Sequence, residues 1–152
     1  MIKTKIKCND GVALPEYATP LSAGVDLSVN TDMIINSYQI VKVPTGIVIE
    51  APPGYFIQIV ARSSLCIKKG LMLANSVGII DGDYCGPDDE ISLLLYNFTP
   101  NVVAINKGER LAQAILIRYE QALWIETKKP IKNESRGGFG STLGMGLEIV
   151  RY

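Results

Sequence analysis

Asp81 and Asp83 flank Gly82 in the run Gly78-Ile79-Ile80-Asp81-Gly82-Asp83-Tyr84, where an apolar strand pattern leads into a turn. The chain has no histidine, so any hydrolytic chemistry must take its general base from a carboxylate. Taken alone, Asp-Gly is also the commonest two-residue turn signal, and a plain hairpin turn is the simpler explanation. Arg62-Ser63-Ser64 puts a guanidinium and two hydroxyls at the start of a short helical pattern, where free backbone N–H groups favour anions. An ordinary N-cap serine explains that motif equally well. Asp26 stands among apolar neighbours in Ala23-Gly24-Val25-Asp26-Leu27, and Gly108-Glu109-Arg110-Leu111-Ala112-Gln113 opens a strand after a turn. Gly137-Gly138-Phe139-Gly140-Ser141-Thr142 can form a backbone nest for phosphate. It is not a Walker loop, because no Gly-Lys-Ser/Thr follows.

The elements that would hold these groups read as all-β. Ile2, Thr4 and Ile6 alternate with lysines, the period-2 signature of a half-exposed strand. Short β-rich runs follow at about 25–29, 33–35, 38–43, 46–50, 55–61, 77–80, 91–98, 101–105, 111–119 and 122–126. Proline and glycine turns punctuate them, which points to a sandwich, jelly roll or small barrel. Residues 63–70 break the pattern: a serine cap, an apolar step, two lysines and a closing glycine spell one short helix. Five of the fourteen glycines fall between Gly137 and Gly146. Glycine at that density makes a packed strand costly, so the segment is expected to be a flexible arm, with Phe139 needing something to cover.

Composition narrows the classes. A chain of 152 residues is the size of one domain with a full core. Fifteen basic and fifteen acidic side chains cancel, leaving no electrostatic footprint for a nucleic acid polymer. A small charged ligand in a local site remains compatible with that neutrality. Cys8, Cys66 and Cys85 are widely spaced, with no Cys-x-x-Cys pair and no histidine to complete a zinc site. They read as reduced, mostly buried thiols of a cytoplasmic protein. No apolar run approaches a membrane span, and the N-terminus has no signal-peptide core. Asn97-Phe98-Thr99 and Asn133-Glu134-Ser135 match the glycosylation pattern, by chance in a chain that is not exported.

The order of the motifs is more specific than any one of them. AGVDL at 23–27, RSSL at 62–65, GIIDGDY at 78–84, GERLAQ at 108–113 and GGFGST at 137–142 resemble, in sequence, the five motifs of the trimeric dUTPases. The resemblance runs from about residue 20 to residue 142. It implies a jelly-roll-like β-barrel over residues 1–135, a C-terminal arm over 136–152 that closes over an active site, and a homotrimer with its sites at subunit interfaces. It implies hydrolysis of dUTP to dUMP and pyrophosphate with Mg²⁺, which limits uracil in DNA and supplies dUMP for thymidylate. By the same resemblance, Asp81 matches the acid that orients and deprotonates the attacking water, and Tyr84 the ring that packs on the deoxyribose. Asn75, with the 75–80 backbone including Gly78 and Ile80, matches the hairpin that reads uracil. Arg62, Ser63, Ser64 and Gln113 match phosphate contacts, and Asp26 the acid that holds magnesium through water. Phe139 matches the aromatic that stacks on the base, while Arg136, Gly140, Ser141 and Thr142 match the closing arm around the γ-phosphate.

The chain departs from the family pattern in two places. Pro87-Asp88-Asp89-Glu90 lengthens the usual loop and is expected to alter the trimer rim rather than the site. Arg136-Gly137-Gly138-Phe139 sets two residues fewer than usual between arginine and phenylalanine. Two rival readings stand beside the hydrolase: a dCTP deaminase, which shares the fold and the Arg-Ser-Ser motif, and a trimer that binds nucleotide or a protein partner without catalysis.

Overall fold

Alternating short apolar runs bury one face each, and eleven strands with one helical turn result among the described residues. A computed structural model describes residues 2–138. In chain order the elements are β1 (Lys5–Cys8), β2 (Gly24–Ser28), β3 (Met33–Ile35), β4 (Ile40–Pro44), β5 (Ile47–Glu50), β6 (Tyr55–Ala61), α1 (Leu65–Lys69), β7 (Leu71–Leu73), β8 (Gly78–Ile80), β9 (Ser92–Asn97), β10 (Val103–Ile105) and β11 (Arg110–Arg118). Every pairing is antiparallel: β1 with β5, β3 with β10, β2-β11-β6-β8 in one sheet and β4-β9-β7 in another. The architecture is jelly-roll-like, as expected.

The core sits between the sheets. Leu27, Ile35, Val43, Ile47, Leu71, Ile91, Leu93, Leu95 and Ile105 are fully buried. Strand β9 shows the pattern plainly: Leu93, Leu95 and Asn97 face in, while Leu94 and Tyr96 face out. Asn97 is a buried amide with a purpose. Its Nδ2 donates to the carbonyls of Ile35, Asn36 and Asn101, and its Oδ1 accepts from the N–H and Oγ1 of Thr99. It therefore ties the β3–β4 turn to the β9–β10 turn, and its amide is committed rather than open to glycosylation.

Helix α1 lies inside the expected 63–70 span. Gly70 closes it in the left-handed region (φ 64°), its N–H donating to the Cys66 carbonyl at 3.0 Å. Ser64 occupies the N-cap position, but its side chain makes no capping bond. The 110–118 run is a strand, the longest among the described residues, because β2 and β6 pair with it on both sides.

Three sequence expectations need correction. Strand β7 escaped the sequence reading, since three residues directly after a helix show no period. Residues 122–126 form no strand: Leu123, Trp124 and Ile125 are exposed, and no strand among the described residues pairs with them. A lone strand leaves its N–H and C=O groups unpaired. The cysteines are free but not buried, with Cys66 exposed and Cys8 and Cys85 half-buried.

Residues Met1–Glu120 make one compact unit and Gln121–Tyr152 a second. In the second, residues 121–138 carry no helix or strand. No helix among the described residues is long and apolar enough to cross a membrane.

Candidate active site

Asp26 is the hub of the first constellation. Its Oδ1 accepts from Arg62 Nε at 3.1 Å and Gln113 Nε2 at 3.2 Å, and its Oδ2 from Arg110 Nη1 at 3.2 Å. Register explains the glutamine: Gln113 sits directly opposite Asp26 across β11 and β2. Arg110 lies three residues earlier and would point to the other face of a regular strand. A bulge between Arg110 and Ala112 inserts one residue, Leu111, and turns Arg110 back to the Asp26 side. Arg62 follows the end of β6 and is held there twice. Its N–H donates to the Leu111 carbonyl at 3.2 Å, and its Nη1 to the Arg110 carbonyl at 3.2 Å.

Arg62 and Arg110 open onto a cleft of about 340 Å³ lined also by Ser64, Lys68, Lys69 and Glu109, while Asp26 lines a neighbouring cleft that shares Arg110. Lys69 is bound by Glu109 at 2.7 Å and by the Ala104 carbonyl. Arg62 and Arg110 share a single carboxylate, so the cleft keeps an excess of positive charge suited to a polyanion. Ser63 is exposed beside it. Sequence reasoning did not assign Arg110, because the bulge that turns it toward Asp26 arises from strand pairing.

The second constellation lies elsewhere. Asp81 and Tyr84 line a cleft of about 210 Å³ with Lys42, Ile79, Ile80, Glu90, Ile91 and Ser92. The turn is closed by the Tyr84 N–H donating to the Asp81 carbonyl at 3.2 Å. Asp81 and Asp83 are exposed, and the Tyr84 ring is part-exposed with its hydroxyl donating to the Glu90 carbonyl at 3.4 Å. Gly78 opposes Ile59, and a Cβ on Gly78 would lie 2.9 Å from the Ile59 Cβ, so close strand approach alone requires glycine there. Ile80 opposes Ile57. Asn75 is exposed at the tip of a tight turn in which Ser76 takes a positive φ of 62°. Glu90, at the end of the Pro87–Glu90 loop, lines the Asp81 cleft.

The two clefts share no lining residue. Ile80 opposes Ile57, which sets Asp81 opposite Phe56. From Phe56 to Arg62 is six residues of extended chain, about 20 Å.

A metal ion finds limited purchase on the protein. Among the described residues no three carboxylate, cysteine or histidine side chains converge. Of the roughly four lone-pair positions on the Asp26 carboxylate, three are taken by its partners. The one left on Oδ2 fits a water-mediated contact and not direct coordination, as suits an ion that dehydrates reluctantly. Arg136 is exposed in the second unit. Phe139, Gly140, Ser141 and Thr142 lie outside the described residues.

A jelly-roll-like β fold here carries a strand-end aspartate in one cleft and a cluster of cationic side chains in another. The sequence model of the dUTPase family matches residues 10–143. A Rickettsia typhi protein named deoxyuridine 5'-triphosphate nucleotidohydrolase is 44% identical over 147 residues, covering 93% of this chain and 97% of its own length. A Hydrogenobaculum protein of the same name is 43% identical over 90% of this chain and 94% of its own. Among solved structures, the Streptococcus mutans dUTPase superposes with a TM-score of 0.71 at 35% identity, over 82% of this chain and 98% of that one. The Staphylococcus bacteriophage 80alpha dUTPase with dUPNHPP reaches a TM-score of 0.81 over 93% and 98% of the two chains; at 19% identity it shows the shared fold alone. The chain belongs to the dUTPase family, whose members are metal-dependent enzymes.

Proposed function

We propose that this chain hydrolyses dUTP to dUMP and pyrophosphate as a homotrimer whose active sites are built between subunits. The observation that carries the composite site is the separation of its halves. The Asp81–Tyr84 cleft and the Arg62–Arg110 cleft occupy opposite ends of the β6–β8 ribbon. A neighbour's cationic cleft set against this chain's Asp81 cleft brings base and phosphate cradle onto one nucleotide.

In that arrangement Asp81 orients a water and takes its proton as the water oxygen attacks the α-phosphorus. The bond from the α-phosphorus to the α,β-bridging oxygen breaks, and pyrophosphate leaves with that oxygen. Arg62, Ser63, Ser64 and Gln113 hold the phosphates, with Asp26 fixing the arginine and glutamine. Asn75 and the 75–80 backbone, including Gly78 and Ile80, read the uracil edge, and Tyr84 packs on the deoxyribose. Arg136, Phe139, Gly140, Ser141 and Thr142 belong to the arm that closes the site, spanning residues 136–152. Asp26 would hold magnesium through water, and the ion would supply neutralisation of phosphate charge.

The test is hydrolysis in ¹⁸O-labelled water with dUTP and dCTP supplied separately. Label in dUMP supports attack at the α-phosphorus; label in pyrophosphate rules it out. Conversion of dCTP to dUTP with release of ammonia would make the chain a deaminase instead. Sedimentation at working concentration reads the assembly, and an active monomer would overturn the composite site.

A further inference from the structure

The loop Gly86-Pro87-Asp88-Asp89-Glu90 is built rather than slack. The Gly86 N–H donates to Asp89 Oδ2 at 2.7 Å, and the Asp89 N–H donates back to the Gly86 carbonyl at 3.3 Å. Pro87 fixes its own φ inside that reciprocal pair. The loop delivers Glu90 to a position with two contacts. Its Oε1 accepts from the Gly46 N–H in the β4–β5 turn, and its carbonyl accepts from the Tyr84 hydroxyl at 3.4 Å. The phenol bond is long and weak on its own.

What makes the carbonyl a fixed point is its anchoring. The next residue, Ile91, is fully buried; its N–H donates to the Ile47 carbonyl at 2.8 Å, and its carbonyl accepts from the Thr45 N–H at 3.1 Å and Thr45 Oγ1 at 2.6 Å. Gly46 takes a φ of 74°, the left-handed region that glycine adopts without strain, and a Cβ there would clash with Val12 and Asn30. Tyr84 therefore hangs from a carbonyl bolted to the core on one side and to the β4–β5 turn on the other.

We infer that Glu90 is a positioning residue for sugar discrimination: its carboxylate clamps the Gly86–Glu90 loop to the Gly46 turn and so sets where the Tyr84 ring stands in the Asp81 cleft. This rests on the reading of Tyr84 as the ring that packs on the deoxyribose. A rigid ring rejects a 2′-hydroxyl; a ring free to swing makes room for it. Loss of the clamp should act on the choice between dUTP and UTP more than on the chemical step.

The experiment measures kcat and KM for dUTP and for UTP with the full chain and Mg²⁺, in the parent and in Glu90→Ala, Glu90→Asp, Glu90→Gln and Tyr84→Ala. Glu90→Ala is expected to lower the dUTP/UTP ratio of kcat/KM by about tenfold, with kcat for dUTP changed much less. Glu90→Gln keeps an acceptor for the Gly46 N–H and should retain the parental ratio. Glu90→Asp draws the carboxylate back by one methylene and should fall between, which preserves the test if the alanine variant does not fold. A collapsed ratio in Tyr84→Ala with unchanged ratios in Glu90→Ala and Glu90→Asp overturns the role of Glu90 and leaves the gate standing. An unchanged ratio in Tyr84→Ala overturns the gate and the clamp together.

Discussion

Arg110 reaches the Asp26 carboxylate at 3.2 Å from the same side of the sheet as Gln113, although the two stand three apart on one strand. A regular strand would send them to opposite faces. The bulge at Leu111 removes the conflict and gathers two arginines and a glutamine on one acid. The arrangement fixes the direction of three donors at once, two of which, Arg62 and Arg110, line the cationic cleft.

Asp26→Asn should show what that hub does. The arginines are 32% and 59% exposed, so solvent screens much of the lost attraction, and a stability loss of about 1 kcal/mol is expected. The effect on function should be larger. An orienting carboxylate is worth about 10–100-fold in activity or metal affinity, so kcat/KM for dUTP should fall by that range. The Mg²⁺ concentration for half-maximal rate should rise with it. Thermal melting and a magnesium titration check both, and parental values for rate and titration would remove Asp26 from the site.

Asp81→Asn keeps the size of the side chain and abolishes its capacity to accept a proton. The exposed turn makes no bond through that carboxylate among the described contacts, so folding should be intact. Turnover should drop by about 10²–10⁴, the usual share of general base catalysis, while dUTP binding persists. Near-parental turnover would assign the base to another group.

Asn97→Asp probes the fold instead. The carboxylate would face the carbonyls of Ile35, Asn36 and Asn101, which now accept from the amide. Replacing a buried donor by an acceptor leaves these groups unpaired, at a cost of about 3 kcal/mol or more. A lowered melting temperature with an unchanged KM in the surviving folded protein is expected.

Much of this was legible in the sequence because the strands are short, apolar and set off by proline and glycine. An all-β fold of sandwich, jelly-roll or barrel type and helix α1 follow from that punctuation, while the choice of a jelly roll rests on the family resemblance of the ordered motifs. The Asp26, Arg62 and Gln113 cluster required motif order, since each residue alone reads as a turn, cap or rim group. Arg110 stayed hidden because a bulge is a property of pairing, visible only when β2 lies beside β11. Strand β7 was too short to show a period. Residues 122–126 mislead in the opposite way: Leu123, Trp124 and Ile125 have strand propensity, but propensity without a partner strand does not make a sheet. Glu90 could not be placed from sequence, because its role depends on a turn forty-four residues earlier.

The arm offers a test of both closure and assembly. Gly137 to Gly146 is rich in glycine, so ordering it is costly in backbone entropy. In the proposed site, contacts through Phe139, Ser141 and Thr142 supply the compensation, with stacking on a base worth about 1–3 kcal/mol. A chain ending at Ser135 should therefore keep its fold and its trimer, read by circular dichroism and sedimentation, while losing most activity. Asp81→Asn in the full chain loses activity for a different reason. Mixed trimers of the two should regain activity when an intact arm from an Asp81→Asn subunit closes over a site that holds a truncated neighbour's Asp81. Absence of rescue, with mixed trimers shown to form, would mean that each arm serves a site containing its own Asp81, or that the arm is dispensable.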